Sequence, residues 1–326
     1  MYIVGIDIGG TKCAVILGQL SQSGQPSILG KRGIPTKDYP DPYKMIEAMQ
    51  LEMETLLRLH SVSIDSVESI GISCGGPLDS VSGVILSPPN LPGWDEIPIV
   101  KLFTDKYRIP TYIQNDANAC ALAEWLMGAG RGTSNMVFLT FGTGMGAGLI
   151  LNGQLYSGTN DLGGEVGHIR LAATGPVGYG KAGSFEGFCS GGGIAQLAKA
   201  MVSERLTNHQ AVGFCSSLDQ VNQIDTKMIA MAAHQGDPLA NEIIRLSAEK
   251  LGYGLSILID VLNPECIVIG SVYARNEDLF KPVMNQIIQQ EALAPAVKVC
   301  TIKPAELGDS VGDFAALGVA LYGKKQ

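Results

Sequence analysis

The chain has 326 residues and a formal net charge of −8, and 46% of its residues are hydrophobic and 17% charged. This composition is typical of a water-soluble enzyme, and the length exceeds what one hydrophobic core usually serves, so we expect two domains. The lysines and arginines form no run or stripe, which argues against nucleic-acid binding and against binding to an anionic membrane surface.

The seven cysteines are scattered and include no close pair. Such a set is typical of reduced, buried thiols, so we expect a cytoplasmic protein. The chain begins directly with an apolar run, without the charged segment of a signal peptide, and no stretch is long and apolar enough to predict a membrane span.

The first predicted elements are two β-type runs around the turn Gly9-Gly10-Thr11-Lys12, between Tyr2 and Leu17. A second strand–turn–strand pattern, also rich in glycine, lies between Met136 and Leu151. Two copies of this strand–turn–strand pattern indicate an internal duplication and therefore two related α/β domains.

The remaining elements follow from apolar periodicity and from the positions of glycine and proline. They are helices over 42–61, 117–127, 243–262 and 310–322, and strands over 69–74, 111–114 and 266–269. We place the domains at 1–114 and 115–307, and we expect a helix at about 308–326 to pack back on the first domain.

Each glycine turn leads into another β-type run. Rossmann and P-loop sites instead need a glycine loop that leads into a helix. Phosphates would therefore meet backbone N–H groups of hairpin turns. One such hairpin is more often only a turn, but two favour a triphosphate site. Asp7, just before the first turn, either holds Mg²⁺ through water or caps its own turn.

Asp116 follows a predicted strand and opens a predicted helix. A carboxylate at this position either caps the helix or takes a proton from an attacking hydroxyl. Further along, Glu165, His168 and Glu186 are suited to hydrogen bonding with a polyol, although a lone histidine near glycines is often structural.

Taken in order, these motifs resemble the ROK family of bacterial sugar kinases, N-acetylhexosamine kinases and related repressors. The resemblance covers nearly the whole chain and depends on segments Asp7–Lys12, Gly75–Pro77, Asn115–Ala119, Ala123–Glu124, Gly142–Gly148, Glu165–His168 and Ile269–Gly270. It implies the two-lobed actin-like (ribonuclease H-like) α/β sugar kinase fold, with ATP and sugar in the cleft between the lobes.

The resemblance also implies roles for single residues. Asp116 would be the catalytic base, and Asp7 would hold the Mg²⁺ of Mg-ATP through water. The implied sugar ligands are Gly76, Asn90, Asn115, Glu165, His168 and Glu186. The implied nucleotide ligands are Gly9, Gly10, Thr11, Lys12, Thr143, Gly144 and Gly270. Members of the family are often dimers, so we expect a homodimer.

One segment departs from the family. Members usually carry a zinc motif with cysteines, whereas Val177, Tyr179 and Ser184 occupy those three positions here. Because valine cannot bind zinc and a lone Tyr or Ser replaces thiolate poorly, we expect no structural zinc. We expect packing of Tyr179 and Phe185 to hold this loop, and a hydrogen bond from Tyr179 or Ser184 to orient His168.

The resemblance therefore predicts an ATP-dependent sugar phosphotransferase, with glucose as the first candidate substrate. Fructose, N-acetylmannosamine, N-acetylglucosamine, allose, a β-glucoside and a cyclic polyol remain open. One alternative is a sugar-responsive repressor, but the first strand starts at residue 2 and leaves no room for a preceding helix-turn-helix. Another is an inactive sugar-binding protein. The presence of Asp7, Asp116 and Glu165 argues against it.

Overall fold

The computed structural model describes residues 1–22 and 24–324, and its chain divides into two units. The first unit contains Met1–Gly132, Gly148–Gly163 and the described part of Glu306–Gln326. The second contains Thr133–Ala147 and Gly164–Ala305. The chain therefore leaves the first unit, returns to it briefly, leaves again and comes back at its C-terminal end.

The first unit is built on a five-stranded sheet with strand order β3-β2-β1-β4-β7. Strand β1 pairs antiparallel with β2 and parallel with β4, which in turn pairs parallel with β7. Up to residue 132 its elements are β1 (Tyr2–Ile8), β2 (Lys12–Leu20), β3 (Pro26–Pro35), α1 (Pro42–Leu59), β4 (Val67–Cys74), β5 (Leu78–Asp79), β6 (Val84–Ile85), α2 (Ile99–Tyr107), β7 (Thr111–Asn115) and α3 (Asp116–Met127).

The rest of the chain adds seven strands and eight helices in the described residues. They are β8 (Met136–Leu139), β9 (Ala147–Leu151), β10 (Gln154–Tyr156), β11 (Val177–Gly178), β12 (Lys181–Ala182), α4 (Phe185–Cys189), α5 (Gly191–Thr207), α6 (Thr226–His234), α7 (Pro238–Leu262), β13 (Cys266–Ile269), α8 (Ser271–Arg275), α9 (Glu277–Glu291), α10 (Ala294–Val299), β14 (Thr301–Pro304) and α11 (Val311–Gly323). In the second unit, β13 lies parallel to both β8 and β14.

The mixed α/β class is the one predicted, and each predicted strand and helix is present with ends shifted by a few residues. Both glycine turns lead from one strand to the next, from β1 to β2 and from β8 to β9. Helices α2, α4, α5, α6, α8, α9 and α10 were not predicted. Among the described residues, no helix combines the length and the hydropathy that crossing a bilayer requires.

Helix α11 packs closely on the sheet of the first unit. The Ser69 hydroxyl donates to the carbonyl oxygen of Ala320 at 3.0 Å. A Cβ placed on Gly71 would lie 2.2 Å from the Ala320 nitrogen, so only glycine permits this approach. Ile3 and Ile16 of the sheet share an apolar cluster with Leu317 on the helix.

Helix α3 lies in the same unit as α11. The buried carboxylate of Glu124 on α3 accepts hydrogen bonds from the N–H groups of Ala129, Glu306 and Leu307. These bonds fix the segment that leads into α11. The predicted boundary at residue 114 lies inside the first unit, before the last residue of β7.

Candidate active site

Three parallel strands of the first unit end side by side. In the sheet register Ile8 lies opposite Cys74, and Cys74 lies opposite Asn115. The carboxyl ends of parallel strands share one edge of a sheet, where α/β proteins commonly bind ligands. The first glycine turn, the Gly75–Gly76 pair and Asp116 therefore all follow this edge directly.

The first glycine turn is held by the end of β3. The Gly9 N–H donates to the Lys12 carbonyl at 3.1 Å, and the Thr36 N–H donates to the Thr11 carbonyl at 3.0 Å. The Thr36 hydroxyl donates to the Gly9 carbonyl at 2.6 Å. Sequence reasoning missed Thr36, because nothing local marks a residue so far from the turn. Gly10, Thr11 and Lys12 are exposed, so a phosphate can reach them.

Asn90 lies against this turn and against the segment after β4. A Cβ placed on Gly10 would be 2.6 Å from the Asn90 carbonyl oxygen, and one placed on Gly75 would be 3.3 Å from Asn90 Oδ1. The structure thus brings Asn90, a predicted sugar ligand, next to Gly10, a predicted phosphate ligand. Gly76 is exposed beside them.

Asp7 is a partly buried carboxylate on β1. Burial is the main reason that its pKa is raised from 3.8 to about 6; the carboxylate of Asp313 adds to the rise and Lys31 opposes it. Lys31 Nζ is 2.5 Å from Asp313 Oδ1. Sequence reasoning missed both neighbours, since Asp313 lies near the opposite end of the chain and no motif contains it.

Two roles were considered for Asp116: capping the helix and accepting a proton from a hydroxyl group. Asn115 is the N-cap of α3, and its Oδ1 accepts from the Asn118 N–H at 2.8 Å. The capping interpretation of Asp116 is therefore wrong, although one of its oxygens accepts from the Ala117 N–H at 2.8 Å. Its side chain reaches solvent, yet the protein around it excludes enough water that desolvation raises the pKa of the carboxyl.

The second glycine turn is braced by Glu186. Within the turn, the Thr140 N–H donates to Gly146 O at 2.9 Å. Glu186 Oε2 accepts from the Met145 N–H at 2.9 Å, and a Cβ on Gly144 would lie 2.8 Å from the same oxygen. Glu186, a predicted sugar ligand, thus contacts the turn predicted to bind phosphate. Thr143 in this turn is exposed.

Glu165 and His168 are exposed beside the same turn. Gly167 between them lies so close that a Cβ there would be 2.4 Å from the Met145 carbonyl oxygen. The second unit therefore brings together five of the predicted residues: Thr143, Gly144, Glu165, His168 and Glu186.

The orientation of His168 differs from the expectation. The Ser184 hydroxyl caps α4 by accepting from the Gly187 N–H at 3.1 Å. Tyr179 instead contacts the His168 ring edge to face, with ring centroids 5.3 Å apart and planes at 74°. Ring packing replaces the expected hydrogen bond. Phe185 is fully buried, as its expected packing role requires, whereas Tyr179 is 74% exposed.

Gly270, predicted to lie near the nucleoside, is buried at the end of β13. Its N–H donates to the Leu139 carbonyl at 3.0 Å, and it is the N-cap residue of α8. No ligand contact follows from this position, so its nucleotide role stays a prediction.

The sequence model of the ROK family matches residues 3–324. The chain belongs to the ROK family. It is 31% identical over 314 residues to a glucokinase from Halalkalibacterium halodurans, covering 95% of this chain and 92% of that protein. It is 27% identical to the xylose repressor of Caldicellulosiruptor bescii, covering 94% of this chain and 75% of the repressor.

Solved structures agree with the family's actin-like ATPase fold. A ROK family glucokinase from Streptomyces griseus, in complex with glucose and AMPPNP, superposes with a TM-score of 0.73 at 26% identity. The superposition covers 98% of this chain and 99% of that one. The chain is thus similar along most of its length both to glucokinases and to a xylose repressor.

The residues of this chain suit a nucleotide phosphate and Mg²⁺ but not zinc. The exposed Gly10–Lys12 turn suits a phosphate, and the Asp7 carboxylate supplies the oxygen ligand that a hydrated Mg²⁺ prefers. Zinc does not fit, because Val177, Tyr179 and Ser184 stand where thiolates would be needed. The described residues contain no group of three or more His, Cys, Asp or Glu arranged to hold a metal ion.

Proposed function

We propose that this protein is an ATP-dependent sugar kinase that phosphorylates a hydroxyl group of a hexose, with glucose as the first candidate. The proposal rests above all on the Asp116 carboxyl. It opens a helix at the sheet edge without serving as its cap, it reaches solvent, and its pKa is raised. A carboxylate whose pKa is raised, at the same sheet edge as the exposed first glycine turn, has the properties of a general base.

In the proposed reaction the sugar hydroxyl oxygen attacks the γ-phosphorus of ATP, and the bond from that phosphorus to the ADP oxygen breaks. Asp116 takes the hydroxyl proton. The backbone N–H groups of both glycine turns and the Lys12 ammonium neutralise phosphate charge. Bound Mg²⁺ would supply further positive charge at the phosphates, with Asp7 holding its water ligands.

We propose that Gly76, Asn90, Asn115, Glu165 and His168 bind the sugar. Asn115 already uses its side-chain oxygen to cap α3, so its amide N–H₂ would meet the sugar. For Glu186 we propose a different main role, bracing the second glycine turn through the Met145 N–H. We also expect a homodimer, which light scattering in solution would test.

The test is sugar-dependent release of ADP, measured with a panel of hexoses, N-acetylhexosamines and polyols. Asp116→Asn should lower the rate by at least about 10²-fold, because the base is lost. The matched control is Asp219→Asn, at an exposed aspartate of the second unit. The wild-type rate should fall as the pH drops through the raised pKa of Asp116, because the protonated carboxyl cannot accept a proton.

A second candidate, a sugar-binding regulator without kinase activity, is favoured by the similarity to the xylose repressor. One experiment distinguishes the kinase from the regulator. Sugar binding measured by calorimetry, with no ADP release for any sugar that binds, would support the regulator and overturn the kinase.

A further inference from the structure

A short hairpin, β11 and β12, lies beside the His168 segment in the second unit. A glutamine on α5 holds its first strand: the Val177 N–H donates to Gln196 Oε1 at 3.1 Å, and Gln196 Nε2 donates to the Val177 carbonyl at 3.0 Å. The amide of Gln196 therefore pairs with both backbone groups of Val177, as a neighbouring strand would. This is a fixed two-point attachment at a backbone position.

The second strand of the hairpin is tied to the His168 segment itself. Lys181 Nζ donates to the His168 carbonyl oxygen at 2.6 Å. Arg170 Nη1, two residues beyond His168, donates to the Ala182 carbonyl at 2.9 Å. Hydrogen bonds with a charged donor are among the stronger ones in proteins, so these two contacts fix the distance between hairpin and segment.

The hairpin also presses on the helix that carries Glu186. A Cβ placed on Gly178 would lie 2.6 Å from the Gly187 nitrogen and 2.7 Å from Glu186 Cβ. Only a glycine allows such an approach of two backbones. One hairpin thus contacts the segments of both His168 and Glu186.

Tyr179 is the first residue of the two-residue turn that joins β11 to β12, and such a turn requires positive φ at both residues, here 43° at Tyr179 and 76° at Gly180. The turn explains the backbone conformation but not the side chain, because Asn, Asp or Gly usually occupies this position. A bulky side chain occupies the left-handed region at a cost. The side chain of Tyr179 is 74% exposed, so it buries little apolar surface in return. Its ring instead packs edge to face on His168. Strain without burial is typical of a residue retained for its position at a functional site.

We infer that Tyr179 is a positioning residue that sets the His168 ring for sugar binding, and that Gln196 and Lys181 hold the hairpin for this purpose without a metal. The inference rests on the proposed function for what His168 binds. The ring pair supplies the orientation, and the glutamine and lysine contacts supply the rigidity. Because these contacts involve only protein atoms, removing or adding zinc should change nothing in this region.

The first test needs no substrate. The chain has four histidines, so the His168 ring signals can be assigned by comparing spectra of the wild type and His168→Gln. Tyr179→Leu should shift the His168 signals, because the ring current of the tyrosine is lost, whereas Tyr179→Phe should keep them. Unmoved signals in Tyr179→Leu would overturn the inference.

The second test follows hydrogen exchange of the backbone amides in 177–187. Gln196→Ala should speed exchange there by about fivefold or more, the effect of losing about one hydrogen bond's stability. The matched control is Gln290→Ala, an exposed glutamine on α9. Treatment with a chelator or with zinc chloride should leave the exchange unchanged. Slower exchange on adding zinc would contradict a hairpin held by protein contacts.

The third test separates positioning from general stability. Tyr179→Leu and Gln196→Ala should raise the KM for the sugar by about two- to tenfold, the range expected for an aromatic pair, and leave kcat and the KM for ATP within about twofold. Tyr179→Phe should restore the wild-type KM. An unchanged KM for the sugar in Tyr179→Leu would refute the positioning role. A wild-type protein that releases no ADP would refute only the proposed function, because the spectral and exchange measurements are made without substrate.

Discussion

Replacing Asp7 by asparagine should stabilise the protein while weakening its activity. The Asp7 carboxyl has a pKa of about 6 in the folded chain against an ordinary value of 3.8. Each pKa unit corresponds to about 1.4 kcal/mol, so keeping Asp7 charged in the folded protein at neutral pH costs about 3 kcal/mol. Asp7 is only partly buried and asparagine is itself polar, so we expect Asp7→Asn to raise the free energy of unfolding by about 1–2 kcal/mol.

The pH dependence of this gain has a definite sign. Because the pKa is raised on folding, the folded chain holds the Asp7 proton more tightly than the unfolded chain does. The cost of the charge is therefore absent below about pH 4, grows as the pH rises from 4 to 6, and is complete above about pH 6. The advantage of asparagine should appear in full at pH 7.5 and fall to about a third of that at pH 4.5.

Urea denaturation followed by tryptophan fluorescence measures this directly, since both tryptophans, Trp94 and Trp125, belong to the first unit and report on its unfolding. Asp38→Asn, at an exposed aspartate of the same unit, is the control and should change the stability little. Activity of Asp7→Asn should fall by about 10–100-fold if the carboxylate orients the water ligands of Mg²⁺. A destabilised Asp7→Asn protein, or a gain that is equal at both pH values, would refute the reasoning.

Two further substitutions address the glycine turns. Gly10→Ala places a Cβ 2.6 Å from the Asn90 carbonyl oxygen, so it should destabilise the protein by about 1–3 kcal/mol and raise the KM for ATP. The control is Gly33→Ala, whose Cβ would have no atom within 4 Å and should cause neither effect. Urea denaturation and steady-state kinetics of the two variants test this. Glu186→Ala removes the acceptor of the Met145 N–H and should raise the KM for ATP by about tenfold; a rise confined to the KM for the sugar would instead identify Glu186 as a sugar ligand.

Local patterns predicted the elements around the site well. Apolar runs that end in glycine gave β1, β4 and β13, and the Asn-Asp pair after β7 gave the start of α3. These signals are local because strand formation, turn geometry and capping depend on neighbouring residues. The family resemblance then supplied the fold and the site residues, and the family and fold are both confirmed.

What the sequence did not reveal depends on contacts between distant residues. Asp313 and Lys31 determine the charge around Asp7 from opposite ends of the chain, and no periodicity relates them. Residues 148–163 belong to the first unit although both flanking segments belong to the second. That assignment depends on contacts such as the bidentate hydrogen bonding of Asp161 with Ser80, which lies far upstream.

The return of the C-terminus to the first unit has a consequence for synthesis. The sheet is translated first, and its apolar partner α11, which carries Leu317 and Ala320, follows much later. Until then Ile3 and Ile16 lack the helix that covers them in the finished protein. While the intervening residues are translated, a nascent chain of this protein therefore exposes an apolar face of the sheet, and a chain released before α11 is made would be a substrate for chaperones and proteases.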